Sequence, residues 1–250
     1  MAKPTLHFQR FEFKYYLPKN IADKLIPALL NYMDWDPYIK ESGQDYYQVN
    51  SLYFDSPDFG CFWDKESGIA DRKKLRFRFY NDIKDQASPI FAEIKRKKDA
   101  LVIKDRISID AASSSNDNFD KKLSELLNAD QDNDFLHELV WFKKRNTLRP
   151  KLFVSYKRKA LVGKIDKKFR VTFDYDIKTQ LANDLDISPN KFKNVYPGGA
   201  VLELKYNNVL QAWFHKIIQR YQLQRLAYSK YCNSLRVAMP QFDDNNYSVT

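Results

Sequence analysis

The chain has 250 residues, of which 44% are hydrophobic and 15% aromatic; that is long for one domain but suits a single barrel-containing unit with a substantial core. No stretch approaches the roughly 18 apolar residues of a membrane-spanning helix and the N-terminus has no apolar leader core, so a helical membrane protein and a secreted one are both disfavoured. The 42 lysines and arginines against 32 aspartates and glutamates give a formal charge of +10, which fits nucleic acid, an anionic membrane surface or a phosphorylated ligand as partner.

In chain order, residues 8–17 alternate as a strand, and 20–33 read as an amphipathic helix with Asn20 as its cap and Pro27 as a kink or break. A strand at 46–55 ends at the turn signal Asp55-Ser56-Pro57-Asp58, and Phe59, Phe62 and Trp63 mark a short helix or turn over 58–66. Strands follow at 73–80, 89–97 and 101–109, evenly spaced as antiparallel neighbours. A Ser/Asn/Asp-rich loop then leads into helices at 119–129 and 133–146, a helical insertion over about 111–147 within one domain of residues 1–239. Strands resume at 151–162, 168–178 and 200–206, and helices at 208–221 and 229–238 precede an acidic, frayed tail at 240–250. Cys61 and Cys232 match no metal-ligand spacing and read as buried thiols of a reducing compartment, so the expected location is the cytoplasm. His7, His137 and His215 are scattered and form no ligand or general-base set.

Six strand segments place charges two residues apart among apolar neighbours: Arg10-Phe11-Glu12-Phe13-Lys14, Arg76-Phe77-Arg78, Glu93-Ile94-Lys95-Arg96-Lys97, Tyr156-Lys157-Arg158, Arg170-Val171-Thr172-Phe173-Asp174 and Glu203-Leu204-Lys205. That period puts the charges on one sheet face and the apolar residues on the other. For one strand the ordinary meaning is a face in water. Across many strands, apolar faces packed outward against the helices at 20–33, 119–146 and 208–238 would turn the charged faces into a barrel of about eight strands. Uncompensated cations there cost several kcal/mol per desolvated charge unless an anion or water fills the space. A triphosphate or longer phosphate chain is such an anion, and arginine grips phosphate oxygens in bidentate fashion. Glu12 and Glu93 then read as internal ion-pair partners, and Glu203 as a ligand for a divalent cation that bridges phosphate oxygens.

In order, these segments together with Ser51-Leu52-Tyr53-Phe54-Asp55, Ile103-Lys104-Asp105-Arg106 and Tyr228-Ser229-Lys230-Tyr231 resemble the catalytic domain of the vacuolar transporter chaperone (VTC) polyphosphate polymerases, in their stand-alone bacterial form, within the triphosphate tunnel metalloenzymes. The resemblance spans about residues 8–236. It implies an α+β fold in which a closed antiparallel β-barrel forms a basic tunnel, with helices outside and a C-terminal helix capping one mouth. It implies transfer of the γ-phosphoryl group of ATP to polyphosphate or a pyrophosphate primer, with a divalent metal, manganese or magnesium. Arg76, Arg78, Lys95, Arg158 and Arg170 would be catalytic. Lys14, Lys65, Lys104, Tyr156, Lys205, Ser229 and Lys230 would bind phosphate or nucleotide, and Glu203 would hold the metal. Lys65 falls where fungal enzymes carry arginine.

Two departures stand out. Related tunnel triphosphatases and cyclases begin Glu-x-Glu-x-Lys, whereas Arg10 replaces the first glutamate, which counts against those activities. Ala227 stands where the fungal polymerase has a lysine, which leaves catalytic competence open. The alternatives are a tunnel triphosphatase and a non-catalytic polyphosphate-binding module. Nucleic acid is disfavoured as a partner, because the charges alternate within strands instead of forming a basic run. A membrane-protein partner stays open, although the 250 residues contain none of the phosphate-sensing or membrane segments of the fungal relatives.

Overall fold

The computed structural model describes residues 10–80, 89–98, 101–109, 116–183 and 188–242. In chain order the elements are β1 (Arg10–Pro18), α1 (Lys19–Leu30), β2 (Met33–Trp35), α2 (Pro37–Ser42), β3 (Tyr47–Asp55), α3 (Gly60–Glu66), β4 (Arg72–Tyr80), β5 (Ile90–Lys98) and β6 (Leu101–Ile109). There follow α4 (Asn116–Ala129), α5 (Asp134–Arg145), β7 (Arg149–Gly163), β8 (Arg170–Leu181), β9 (Lys193–Asn194), β10 (Gly199–Asn207), α6 (Ala212–Arg220) and α7 (Lys230–Ala238). The main path of the curled antiparallel sheet is β1-β10-β8-β7-β3-β4-β5-β6, with β2 added to β7 and β9 to β8.

Two apolar clusters cover the convex face. Phe173, Leu202 and Leu204 pack with Leu25 and Leu29 of α1 and with Phe214 and Ile217 of α6. Leu75, Phe77, Ala92 and Ile94 pack with Leu123 of α4 and with Leu139 and Phe142 of α5. Each fully buried leucine or phenylalanine contributes about 1.5–3 kcal/mol, so this alternation orients the whole sheet. The charged partners of the same strands are thereby forced onto the concave face, as the two-residue period requires.

Four expectations need correction. First, the barrel is not closed: among the described residues no ladder joins β1 to β6. Strand β6 is an edge with Lys104, Asp105 and Arg106 exposed along it, and charges of this kind keep a sheet edge from pairing. A side-chain bridge crosses the seam instead, from Lys95 Nζ on β5 to Glu12 Oε1 on β1 at 3.1 Å. Second, of the helices expected to pack outside over 208–238, α6 does so but α7 lies on the concave face, the side from which a helix would cap a mouth of the lumen. Its Tyr231, Cys232 and Leu235 meet Val49, Tyr53, Val154, Tyr156 and Val201, because the inner positions at that end of the sheet are apolar.

Third, α1 is continuous through Pro27, which sits on its exposed side, and its N-cap residue is Pro18. Fourth, the segment after α1 holds β2 and α2, which the hydrophobic pattern does not announce. The Asp36 side chain caps α2 by accepting from the Tyr38 amide at 3.1 Å, with Pro37 at the first helical position. No helix among the described residues is long and apolar enough to cross a membrane. Residues 243–250, most of the tail expected to fray, lie outside the described residues, as does the first part of the strand expected at 8–17.

Candidate functional site

The strand registers set the site. Lys14 faces Glu203 and Glu12 faces Lys205 across β1 and β10. Thr172 follows Glu203 on β8, and Asp174 faces Arg158 across β8 and β7. Ser51 and Tyr53 on β3 face Arg78 and Arg76 on β4, Arg76 faces Glu93 on β5, and Lys95 faces Lys104 on β6. Residues paired in this way share a sheet face, so the concave surface carries a belt of cations with a few carboxylates among them, next to the apolar positions that α7 covers.

Three ion-pair groups organise that belt. In the first, Glu93 is fully buried and binds Arg76 (Nη2–Oε2 2.7 Å) and Lys104 (Nζ–Oε1 3.1 Å). Burial would raise its pKa, but Arg76, Arg78 and Lys104 outweigh that and hold it down at about 2. In the second, Asp174, also fully buried, takes two bonds from Arg158 (Nε–Oδ1 2.6 Å, Nη2–Oδ2 2.8 Å) and one from Lys230 of α7 (Nζ–Oδ2 2.5 Å). These contacts hold Arg158 and Lys230 charged despite their desolvation. Tyr156 stands beside them: its hydroxyl accepts from Arg78 at 3.2 Å, and its ring faces Lys230 with 4.9 Å from Nζ to the centroid.

The third group joins Glu12 and Glu203, diagonal neighbours across β1 and β10 that are close enough for the charge of Glu203 to repel that of Glu12. Glu12 pairs with Lys14 at 3.2 Å and with Lys95 at 3.1 Å. Glu203 pairs with Lys205 at 3.3 Å and with Arg158 at 3.4 Å. Burial pushes both carboxyls up, as does repulsion of Glu12 by Glu203, yet the surrounding lysines bring both below the usual range, Glu203 well below. Desolvation pulls Lys95 the other way, down to about 8, with Glu12 and Glu203 opposing and Lys14 and Lys205 reinforcing.

Among the described residues no three His, Cys, Asp or Glu side chains form a metal cage. The neighbouring carboxylates of Glu12 and Glu203 nonetheless supply hard oxygen donors among the lysines and arginine that pair with them. Such a pair fits a hard divalent cation that takes its other ligands from water and substrate phosphate, the ordinary habit of magnesium, and does not fit a cation caged by protein alone.

The structure brings Lys14, Arg76, Arg78, Lys95, Lys104, Tyr156, Arg158, Glu203, Lys205 and Lys230 onto this concave surface. Three expected residues stand apart from its centre. Arg170 shares the face but is bound by Asp36 at the N-terminus of α2. Lys65 lies on α3, off the sheet, and pairs with Glu66 at 3.1 Å. Ser229 caps α7, accepting from the Cys232 amide at 3.3 Å. The sequence reading left out Asp174 and underused Glu12. Both sit at even spacing from a chosen cation, Asp174 four residues after Arg170 and Glu12 two before Lys14, so period two alone would have placed them on the same face.

The family model of the VTC domain matches residues 9–239. The chain belongs to the VTC-domain family. Among solved structures, this VTC domain is similar to a Hippeastrum protein described as an adenylyl cyclase with a dominant triphosphatase activity. That match has 11% identity and a TM-score of 0.51, and it covers 94% of this chain and 99% of that one. It is also similar to the PH1819 protein of Pyrococcus horikoshii OT3, at 13% identity and a TM-score of 0.47 over 90% of this chain and 97% of that one. The Hippeastrum likeness extends over nearly the whole VTC domain and is a likeness of fold. None of the curated proteins compared matches the chain.

Proposed function

We propose that this VTC domain is a metal-dependent polyphosphate polymerase that moves the γ-phosphoryl group of ATP onto the end of a phosphate chain held in its cationic lumen. The observation that carries the reading is the convergence on one concave face of Arg76, Arg78, Arg158, Lys14, Lys95, Lys104, Lys205 and Lys230, with the neighbouring carboxylates Glu12 and Glu203 among them. Phosphoryl transfer asks mainly for positioning and charge neutralisation, which such a surface supplies. An ionised terminal oxygen of the chain forms the new P–O bond while the bond to the β-phosphate oxygen breaks and ADP leaves. No side-chain nucleophile and no general base are needed.

In this reading Arg76, Arg78 and Arg158 neutralise the transferred group, with Arg170 at the rim. Lys14, Lys95, Lys104 and Lys205 hold the flanking phosphates, and Lys230 approaches from α7. Glu203, with Glu12 beside it, would hold manganese or magnesium, which when bound neutralises charge on bridged phosphate oxygens. Glu93 and Asp174 orient the guanidinium groups. Lys65 and Ser229, given their placements, contribute through α3 and through the cap of α7.

Purified protein incubated with ATP, Mn2+ and a pyrophosphate primer is expected to release ADP and build a polyphosphate ladder. Glu203→Ala should abolish metal-dependent turnover, and Arg76→Ala should weaken nucleotide binding and turnover together. Full activity in either variant overturns the reading. Orthophosphate without any chain would identify a triphosphatase instead, and tight binding without ADP a binding module.

A further inference from the structure

One wall of the lumen carries a row of aromatic rings, one level beyond the inward-facing Val49, Arg78 and Glu93. Tyr47 on β3 is level with Arg158, Tyr80 on β4 with Val49, and Phe91 on β5 with Arg78 and Ser108. All three therefore face inward, on consecutive strands. Their rings follow one another edge to face, at 5.9 Å between the centroids of Tyr47 and Tyr80 and 6.2 Å between those of Tyr80 and Phe91. Tyr38 of α2 extends the row at 5.2 Å from Tyr47, and Arg106 of β6 closes it with its guanidinium 4.4 Å from the Phe91 centroid.

This crescent differs from the aromatics deeper in the same lumen. Tyr53 and Tyr156 are buried, at 6% and 1% exposed, and the Tyr156 hydroxyl is engaged by arginines. Tyr47, Tyr80 and Phe91 remain half-buried. They also lie at the mouth away from α7, which covers the inner face around Tyr53, Val154 and Val201. Tyr47 and Tyr80 pack on one side against the inner apolar cluster, and the ring surface that stays open beside Arg78 and Arg158 suits a flat, apolar group that arrives together with phosphates.

We propose that Tyr47, Tyr80, Phe91 and the Arg106 guanidinium form a stacking subsite for the base of a nucleoside triphosphate whose phosphates lie against Arg78 and Arg158. The inference rests on the reading given under Proposed function and adds where the nucleoside sits and how it is selected. Arg78 and Tyr80 are two residues apart on β4, about 7 Å at strand spacing, which leaves room for a ribose between phosphate and base. The Tyr47 phenol is pushed up to about 12, chiefly by burial, so its ring stays neutral beside the polyanion. A platform of ring faces selects a nucleotide over a bare phosphate chain, and it discriminates weakly between bases because every base has a π face.

The test compares ATP, GTP and inorganic tripolyphosphate by calorimetric titration of the wild type and of Tyr80→Leu and Phe91→Leu. Loss of one stacking ring is expected to weaken ATP and GTP alike by about five- to tenfold, within the range for base–aromatic contacts, while tripolyphosphate affinity changes less than about twofold. Retained tripolyphosphate binding also certifies that the variants are folded. A Phe91→Trp variant provides a second readout: ATP should quench the new indole and tripolyphosphate should not. Equal weakening of ATP and tripolyphosphate, or no change in either, overturns the subsite and leaves the phosphate lumen standing. Failure of the wild type to bind any of the three overturns the functional reading and the subsite with it.

Discussion

Asp174→Asn is the sharpest perturbation available, because one fully buried carboxylate ties β8 to Arg158 of β7 and to Lys230 of α7. The substitution keeps the shape and removes the charge, so two buried cations lose their shared counter-ion. Removing one partner of a buried pair costs about 3–5 kcal/mol. Glu203, 3.4 Å from Arg158, offsets part of this, which argues for the lower end, about 3 kcal/mol. For a chain of this length each kcal/mol moves the melting temperature by about 2–4 °C, so a drop of about 6–12 °C is expected. The same cations should become better anion ligands, and millimolar tripolyphosphate should recover more of the melting temperature in the variant than it adds to the wild type. Thermal melts with and without tripolyphosphate measure both effects. A drop under about 2 °C, or equal stabilisation of the two proteins by the anion, would refute the role of Asp174 as the shared counter-ion of Arg158 and Lys230.

The Glu93 carboxyl, held at about 2 against 4.5 in the unfolded chain, binds its proton less readily when folded; its contribution, about 3 kcal/mol, is complete above pH 4.5 and lost as pH falls toward 2. Acid unfolding of Glu93→Gln should therefore be shallower through that window than that of the wild type, and identical slopes would contradict the assignment. Lys95 behaves oppositely, since its ammonium gives up its proton near pH 8 when folded and near 10.5 when unfolded. Stability attributable to it rises with pH between those values, while polyanion affinity falls as pH climbs through 8 and binding takes up a proton there. Titrations at pH 8–8.5 in buffers of different ionisation enthalpy should detect the uptake, and Lys95→Met should abolish it. Ser229→Ala should cost about 1 kcal/mol through the lost cap of α7, and Ser229→Asp should restore it; unchanged melting in the alanine variant would remove the cap from the account.

The strands around the lumen were readable because their apolar and charged residues alternate strictly, as in Leu75, Arg76, Phe77 and Arg78. Long helices such as α5, with Leu136, Leu139 and Phe142 at helical spacing, were readable for the same reason. β2 and α2 escaped because three and six residues hold too few periods to register, although Asp36 followed by Pro37 is a local helix-start signal. That α7 leaves the convex face, unlike α6, escaped the hydrophobic pattern for a different reason. Leu152, Phe153 and Val154 are buried on both sheet faces, so alternation stops reporting which face meets a helix, and an amphipathic segment does not name the surface it will cover.

Period two along six strands determined, from the sequence alone, that one face of the sheet would be cationic and that the other would carry the core. It also picked out the arginines and lysines that converge and the order of motifs that marks the VTC family. The tertiary structure alone decided three things: that the sheet stays open between β1 and β6, that α7 enters the concave side, and which carboxylate neutralises which cation. Side-chain period is a property of one strand and survives in the linear sequence. Closure, helix placement and ion pairing depend on the stagger between strands distant in the chain, and that stagger is set only when the two outer clusters and the inner one pack against the sheet together.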